Sequence, residues 1–161
     1  MAAIEAGTLA PEFSWPATDG KTYALKQALA AGPVLAAFFK VSCPVCQFAF
    51  PFLERFHRHF GRVWGISQDK AADSKAFARE YGITFPILLE ETESYPASNA
   101  YGLTHVPSVF LIDRSGEILL SSVGFAKKDL EEMAAKMQSL TGKKGFRPFK
   151  AGEDVPALKS G

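Results

Sequence analysis

The sequence lacks the features that mark membrane, disulfide-framework and nucleic-acid-binding proteins. Its longest apolar run, residues 34–39, is far too short to span a bilayer. Only two of the 161 residues are cysteine, whereas small proteins held together by disulfides carry several cysteines spread along the chain. Lys and Arg number 18 against 17 Asp and Glu, and a net charge of +1 gives no basic surface for nucleic acid. We therefore expect no nucleic-acid partner and no membrane insertion.

The first residues also lack the pattern of a secretory signal. The first basic residue is Lys21, and no apolar stretch precedes it, although a signal peptide needs both a basic start and an apolar core. As written, the sequence predicts a cytoplasmic protein, or an exported one if a leader has been removed. The composition, 47% hydrophobic and 22% charged, is typical of a globular domain with a sizeable core.

Strand and helix patterns alternate along the chain, which predicts an α/β domain. Asp19-Gly20 lies between apolar flanks and predicts an amino-terminal hairpin over 13–23. Further strands are predicted over 33–39, 62–67, 85–89, 108–112 and 117–123, helices over 43–60, 71–81 and 130–140, and a short helix or turn over 94–101. The strands 108–112 and 117–123 are expected to form an antiparallel edge. Pro51 lies inside the first helix and predicts a kink there.

The composition changes at Gly142 to a segment rich in Gly, Lys and Pro. We therefore divide the chain into a domain over 1–141 and a carboxyl-terminal tail over 142–161. Phe146 and Phe149 are the apolar residues expected to pack the tail against the domain. The Lys143-Lys144 pair is expected to be solvated.

The two cysteines, Cys43 and Cys46, have C-x-x-C spacing at the junction of a strand and a helix. Free N–H groups and the positive end of the helix dipole stabilise a thiolate at such a position. Cys46 lies one turn further on, within reach of a disulfide. We predict Cys43 as the exposed nucleophile and Cys46 as the buried resolving thiol, which react through a mixed disulfide.

A structural thiol pair or half of a zinc site is the alternative reading of these cysteines. His57 and His59 follow them, but H-x-H is shorter than the usual histidine spacing of zinc sites. Both histidines also lie on the same predicted helix as Cys46, which prevents them from folding back onto it. We therefore predict no metal site and expect the two histidines to be solvated near the helix end.

With these motifs in place, the chain resembles the thioredoxin-like superfamily in its redoxin branch, which includes AhpC/TSA proteins and TlpA-like thiol–disulfide reductases. The resemblance runs from Gly7 to about Leu140. Its motifs are Gly7-Thr8-Leu9-Ala10-Pro11-Glu12-Phe13, then Phe38-Phe39-Lys40-Val41-Ser42-Cys43-Pro44-Val45-Cys46, Pro51, and Val106-Pro107 with the hairpin that follows. It implies a thioredoxin fold with an N-terminal β-hairpin and a strand–helix insertion.

The same resemblance implies that Pro107 is cis and faces the two cysteines, with the Val106 backbone pairing with substrate. Val45 and Phe48 are candidates for an apolar rim that touches substrate. His105 precedes this loop, so it is expected near the site, where it tunes the thiol, touches substrate or is a neutral loop histidine. Lys40 is the second candidate for tuning the thiol.

Departures from the family patterns separate its branches. Peroxiredoxins carry a threonine where this chain has Lys40 and an arginine where it has Pro107, and those side chains position and polarise peroxide. The buried aspartate of thioredoxins is Ala37 here, and the glutamate frequent in TlpA-like reductases is Ala49. The usual proton acceptor for Cys46 is thus missing, and water or neutral Lys40 are the substitutes that the sequence offers.

These residues predict a thiol–disulfide oxidoreductase that uses its C-P-V-C dithiol to reduce protein disulfides. A thiol peroxidase of the AhpC/TSA type is the alternative among enzymes, and a redox-sensitive interaction module is the alternative outside them. We expect no cofactor beyond the Cys43–Cys46 disulfide. The expected partners are protein disulfides or small thiols and an electron-donating reductase, and the expected state is a monomer or weak dimer.

Overall fold

The computed structural model describes residues 4–161 and follows the predicted order of elements. Its elements are β1 (Ser14–Pro16), β2 (Thr22–Ala24), α1 (Leu25–Leu29), β3 (Val34–Phe39), α2 (Pro44–Phe60), β4 (Val63–Ser67), α3 (Ala71–Tyr81), β5 (Ile87–Leu89), α4 (Pro96–Ala100), β6 (Ser108–Ile112), β7 (Ile118–Val123), β8 (Phe125–Ala126), α5 (Lys127–Thr141) and β9 (Leu158–Lys159). The helix α1 and the strands β8 and β9 have no counterpart in the sequence predictions. All three are short, and none shows a clear periodic pattern of apolar residues.

The centre of the fold is a five-stranded sheet in the order β5-β4-β3-β6-β7. The strands β3, β4 and β5 run parallel, whereas β6 and β7 pair antiparallel. The predicted antiparallel edge is therefore confirmed, and so is the amino-terminal hairpin, in which β1 pairs with β2. The strand predicted over 85–89 and the short helix or turn predicted over 94–101 correspond to β5 and α4, which lie between α3 and β6.

Strand β3 is buried on both faces because helices cover both sides of the sheet. Leu35, Ala37 and Phe39 face one side and belong to the same apolar cluster as residues of α2 and α5. The alternate residues of β3 face the other side, where α1, α4 and the hairpin contribute to a second cluster. Burial on two faces explains why this strand is a continuous apolar run rather than an alternating one.

Helix α2 begins beside the first cysteine. Cys43 is the N-cap residue and Pro44 occupies the first turn, where its missing N–H removes no helical hydrogen bond. The helix ends at Gly61, whose φ of 70° is the left-handed conformation that glycine adopts readily. Helical structure continues through Pro51, and the kink expected there stays a prediction.

Residues 142–161 lie against the rest of the fold. The Phe149 side chain is buried and packs against Phe52 and Phe125, while Phe146 packs against Phe56 and Phe60. The prediction that these two phenylalanines hold the tail is confirmed. The division of the chain at residue 141 stays a prediction.

The expectation that His57 and His59 are solvated is wrong. Both side chains are half-buried, because the His57 ring packs edge-on to Phe85 and the His59 ring stacks on Phe146 of the tail. Burial lowers the pKa of His57. Across residues 4–161, no helix is both long and apolar enough to cross a membrane.

Candidate active site

The loop between β3 and α2 presents Cys43 at the start of the helix. Cys43 has extended backbone angles and its Sγ accepts a hydrogen bond of 3.1 Å from the backbone N–H of Cys46. The sulfur thus takes one of the free N–H groups of the first helical turn, which is the arrangement that favours negative charge on a capping atom. The side chain is half-buried, and both cysteines are free thiols.

Two polar side chains hold this loop in place. The carboxylate of Asp69 accepts a 2.8 Å hydrogen bond from the Val41 N–H, and the Gln47 amide donates to the Val41 carbonyl at 2.9 Å. The Cys43 N–H donates to the Lys40 carbonyl at 3.2 Å. Sequence reasoning missed Asp69 and Gln47 because their contribution depends on the return of the chain after β4 and on a side chain that reaches backwards.

Cys46 lies three residues beyond Cys43 in a fully buried position. Burial, followed by a hydrogen bond involving Cys43, raises the pKa of the Cys46 thiol well above its ordinary range, and a backbone hydrogen bond with Lys40 acts in the opposite direction. The two thiols therefore differ in access to solvent. This asymmetry is the one expected of a nucleophile and a resolving thiol.

The two residues that replace the usual proton acceptors are apolar. Ala37 and Ala49 are both buried in the same cluster as Cys46. Neither can take a proton from the thiol. The apolar surroundings of Cys46 follow directly from the two departures noted in the sequence.

The loop before β6 lies against the first cysteine. The peptide bond between Val106 and Pro107 is cis, as the resemblance implied, and the Val106 carbonyl accepts a hydrogen bond of 3.5 Å from Cys43 Sγ. The Val106 side chain is half-buried and Pro107 is buried. The fold thus brings together two sequence motifs separated by about sixty residues.

A cavity of about 530 Å³ opens beside Cys43. It is lined by Lys40, Cys43, Pro44, Gln68, Tyr95, Ser98, Asn99, Leu103, Thr104, His105, Val106 and Gly161. The two predicted tuning residues, Lys40 and His105, are exposed and share this cavity with the thiol. No Asp or Glu side chain is among the residues that line it, whereas two basic residue types are.

A buried carboxylate supports one wall of the cavity through hydrogen bonds. Gln68 donates to Ser98 Oγ at 2.8 Å, and the Ser98 N–H donates to the Glu90 carboxylate at 3.0 Å. Glu90 is buried, and burial raises its pKa. The sequence carried no signal for this wall, because Gln68 follows β4, Glu90 follows β5 and Ser98 lies in α4.

Val45 and Phe48 flank the buried thiol on the first turns of α2. Both side chains are half-buried and pack against the apolar cluster that contains Cys46. The Phe48 ring also meets Phe125 edge-on and has Lys159 Nζ at 4.9 Å from its centroid. Of the predicted substrate residues, Phe48 is therefore already covered in part by the tail.

A metal site at the cysteines would need further ligands grouped with them. Within 4–161, no three His, Cys, Asp or Glu side chains are grouped so that they could hold a metal ion. His59 Nε2 instead lies 3.0 Å from the Lys143 carbonyl.

Known proteins that are similar to this chain include thiol-disulfide oxidoreductases, in agreement with the geometry of the two cysteines. Residues 6–121 match the model of the AhpC/TSA family. The chain is 26% identical over 137 residues to thiol-disulfide oxidoreductase ResA of Geobacillus thermodenitrificans, covering 81% of this chain and 76% of that protein. It is 28% identical over 138 residues to the thioredoxin-like protein YneN of Bacillus subtilis, covering 80% and 78%.

Solved structures agree on the fold. A thiol:disulfide interchange protein of the thioredoxin family from Chlorobium tepidum superposes with a TM-score of 0.68 at 26% identity, over 85% of this chain and 99% of that one. Peroxidoxin BcpB from Mycobacterium tuberculosis shares the fold with a TM-score of 0.67 at 20% identity, over 84% and 95%. The chain is an oxidoreductase with a thioredoxin fold, and it belongs to the AhpC/TSA family.

Proposed function

We propose that the chain reduces disulfide bonds of proteins through its Cys43–Cys46 dithiol. The observation that carries this proposal is the pairing of a half-buried thiol at the helix start with a buried thiol one turn further on. The Val106 carbonyl beside Cys43 adds a backbone edge to which an extended peptide can bind. The likeness to proteins named thiol-disulfide oxidoreductase supports the same reaction.

The reaction then proceeds in two exchanges. The Cys43 thiolate attacks one sulfur of the substrate disulfide, the substrate S–S bond breaks, and the departing sulfur leaves as a thiolate that takes up a proton. Cys46 then loses its proton and attacks the Cys43 sulfur, which releases the second substrate thiol. The substrate gains two electrons, and the enzyme is left with a Cys43–Cys46 disulfide that an external dithiol donor reduces again.

Several side chains have proposed supporting roles in these exchanges. Lys40 and His105 line the cavity beside Cys43, and we assign to them the tuning of its thiol. Val45, Phe48, Val106 and Pro107 form the proposed substrate contacts. The dithiol itself is the electron carrier, with no cofactor. The proposed state of the protein is a monomer or weak dimer.

Turnover of a protein disulfide tests the proposal directly. With dithiothreitol as electron donor, the chain is expected to accelerate insulin reduction, and Cys43→Ser is expected to abolish the acceleration. A wild-type chain that does not exceed the rate of dithiothreitol alone would contradict the proposal. It would favour the interaction module, whose disulfide changes a surface without turning over substrate.

A thiol peroxidase of the AhpC/TSA type is the second candidate, because the chain belongs to the AhpC/TSA family and shares its fold with a protein named peroxidoxin. Lys40 and Pro107 stand where peroxiredoxins carry the threonine and arginine that hold peroxide. A thiolate without such donors lacks stabilisation of the charge that develops on the departing oxygen. We therefore rank peroxide reduction below disulfide reduction.

A further inference from the structure

The last residues of the chain return to the active site. Residues 157–161, the return segment, run beside β8: the Lys127 N–H donates to the Ala157 carbonyl at 2.9 Å, and β9 pairs antiparallel with β8. Gly124, immediately before β8, donates its N–H to the Pro107 carbonyl at 2.8 Å. Gly124 thus links β8 to the Val106-Pro107 loop, and the return segment, which pairs with β8, ends beside that loop.

This segment contacts two of the residues proposed to bind substrate. Gly161 lies so close to Val106 that a Cβ added to the glycine would come within 2.4 Å of the Val106 carbonyl oxygen. The Lys159 ammonium lies over the Phe48 ring. An extended peptide that reached Val106 and Phe48 would have to occupy the same space. The chain thus places its own backbone where a peptide substrate is expected.

The preceding part of the tail is held much more firmly. Arg55 makes two hydrogen bonds of 2.8 Å to the Glu153 carboxylate and a third of 2.8 Å to the Pro148 carbonyl. The buried Phe149 adds apolar contacts. These anchors keep the return segment next to Val106 at a high effective concentration, so it competes with any peptide in solution.

The return segment itself is held weakly. Its strand pairing covers two residues on each side, and the Leu158 side chain is 73% exposed. A net hydrogen bond contributes only about 0.5–1.5 kcal/mol, so a peptide that forms equivalent bonds can displace the segment. Gly161 and Val106 form part of the lining of the cavity beside Cys43, and Lys40 and His105 line it as well, so a small disulfide can reach the sulfur while the segment stays in place.

We propose that residues 157–161 determine substrate class by competing with peptides for Val106 and Phe48. Protein disulfides must displace the segment, whereas small disulfides reach Cys43 through the cavity without displacing it. This inference rests on the proposed function, since it concerns which disulfides that reaction accepts.

The strand register identifies a variant that releases the segment. The bond between Lys127 and Ala157 makes Phe125 and Lys159 the next hydrogen-bonded pair, and it leaves the Leu158 N–H pointing away from β8. Lys159→Pro therefore removes a donor to β8, while Leu158→Pro removes a donor that faces away and is the matched control. Gly161→Ala displaces the end of the segment independently, through the clash with Val106.

The test compares second-order rates of the reduced chain with insulin and with hydroxyethyl disulfide. Lys159→Pro and Gly161→Ala are expected to raise the insulin rate by about threefold to tenfold, the effect of roughly one net hydrogen bond. Lys159→Pro should leave the hydroxyethyl disulfide rate unchanged, and Leu158→Pro should leave both rates unchanged.

The possible failures are distinguishable. If the wild-type chain reduces both compounds and the two variants keep its ratio of rates, the segment does not select substrates, and the proposed function stands. If the variants raised the rates with insulin and with hydroxyethyl disulfide equally, the proposal would also be wrong. The segment would then restrict access to the thiol for every substrate and would not select among them. If the wild-type chain reduces neither compound, the proposed function itself is wrong.

Discussion

The two thiols of the C-x-x-C motif have different surroundings although only two residues separate them. The Cys43 sulfur caps the helix and touches the Val106 carbonyl, while Cys46 is enclosed by apolar side chains. The nucleophilic thiol must be accessible to substrate, whereas the resolving thiol reacts only after the mixed disulfide has formed. The half-buried position of Cys43 and the buried position of Cys46 fit this order of reaction.

Removal of the resolving thiol should therefore stop the reaction at its intermediate. Cys46→Ser is expected to accumulate a covalent complex with a protein disulfide through Cys43, which a non-reducing gel and mass spectrometry detect. Cys43→Ser is the matched control and should form no complex. Complex formation by Cys43→Ser instead would show that Cys46 is the attacking thiol.

The buried thiol also makes the stability of the reduced protein depend on pH. The pKa of Cys46 is raised in the folded chain, whereas an unfolded cysteine titrates near about 8.5. Above that pH the unfolded state releases a proton that the folded state retains, so the free energy of unfolding falls as pH rises. The stabilisation is complete below about 8.5 and is lost on the alkaline side.

Urea denaturation of the reduced protein between about pH 7.5 and 9.5 measures this dependence. Cys46→Ala should have a flatter profile over that interval, because it removes the titrating group. Cys43→Ala is the comparison, since it removes the half-buried thiol and leaves Cys46 in place. Equal slopes for the wild-type chain and Cys46→Ala would contradict the assignment.

At the scale of elements, the tail is part of the packing rather than an appendage. Phe149 lies between Phe52 of α2 and Phe125 of β8, and Lys127 Nζ lies 5.8 Å from its ring centroid. The side chains of Arg55 and Glu153 also join α2 to the tail, and the Arg55 guanidinium lowers the pKa of Glu153 to about 2. The tail therefore stabilises the helix that Cys43 caps and that contains Cys46.

Substitution in the tail should then destabilise the whole fold. Phe149→Ala is expected to lower the free energy of unfolding by about 3–5 kcal/mol, the usual cost of removing a buried phenylalanine ring. Arg147→Ala, an exposed position two residues earlier, should stay within about 0.5 kcal/mol of the wild-type chain. Urea titrations of the two variants give both values. An effect of Phe149→Ala as small as that of Arg147→Ala would indicate an independent tail.

Elements with a strong period or clear end signals could be predicted from the sequence. The apolar run of β3 and the helical spacing after Cys43 both correspond to elements of the structure. Strands β8 and β9 could not be predicted, because each has two residues and exists only through the other. Pairing between residues more than thirty positions apart leaves no local pattern.

Only part of the site could be predicted from the sequence. The two cysteines and the Val106-Pro107 loop carry recognisable motifs, and the fold brings them into contact. The cavity wall formed by Gln68, Ser98 and Glu90 and the return of Gly161 to Val106 depend on tertiary packing. The roles of individual site residues and the cytoplasmic location stay predictions.

At the scale of the whole molecule, one fold serves both disulfide reductases and peroxidases, so the site decides between the two activities. Here a half-buried thiol lies beside a backbone edge, and the resemblance to peroxiredoxins implies that Lys40 and Pro107 replace the side chains that would hold peroxide. Such a thiol should still reduce peroxide slowly, because any accessible thiolate does. Fast reduction needs donors aimed at the departing oxygen.

Stopped-flow rates of the reduced chain with a protein disulfide and with hydrogen peroxide test this account most directly. We expect the second-order rate constant for the disulfide to exceed that for peroxide by orders of magnitude, and Cys43→Ser to abolish both reactions. A peroxide rate equal to or greater than the disulfide rate would contradict the account and make the chain a thiol peroxidase.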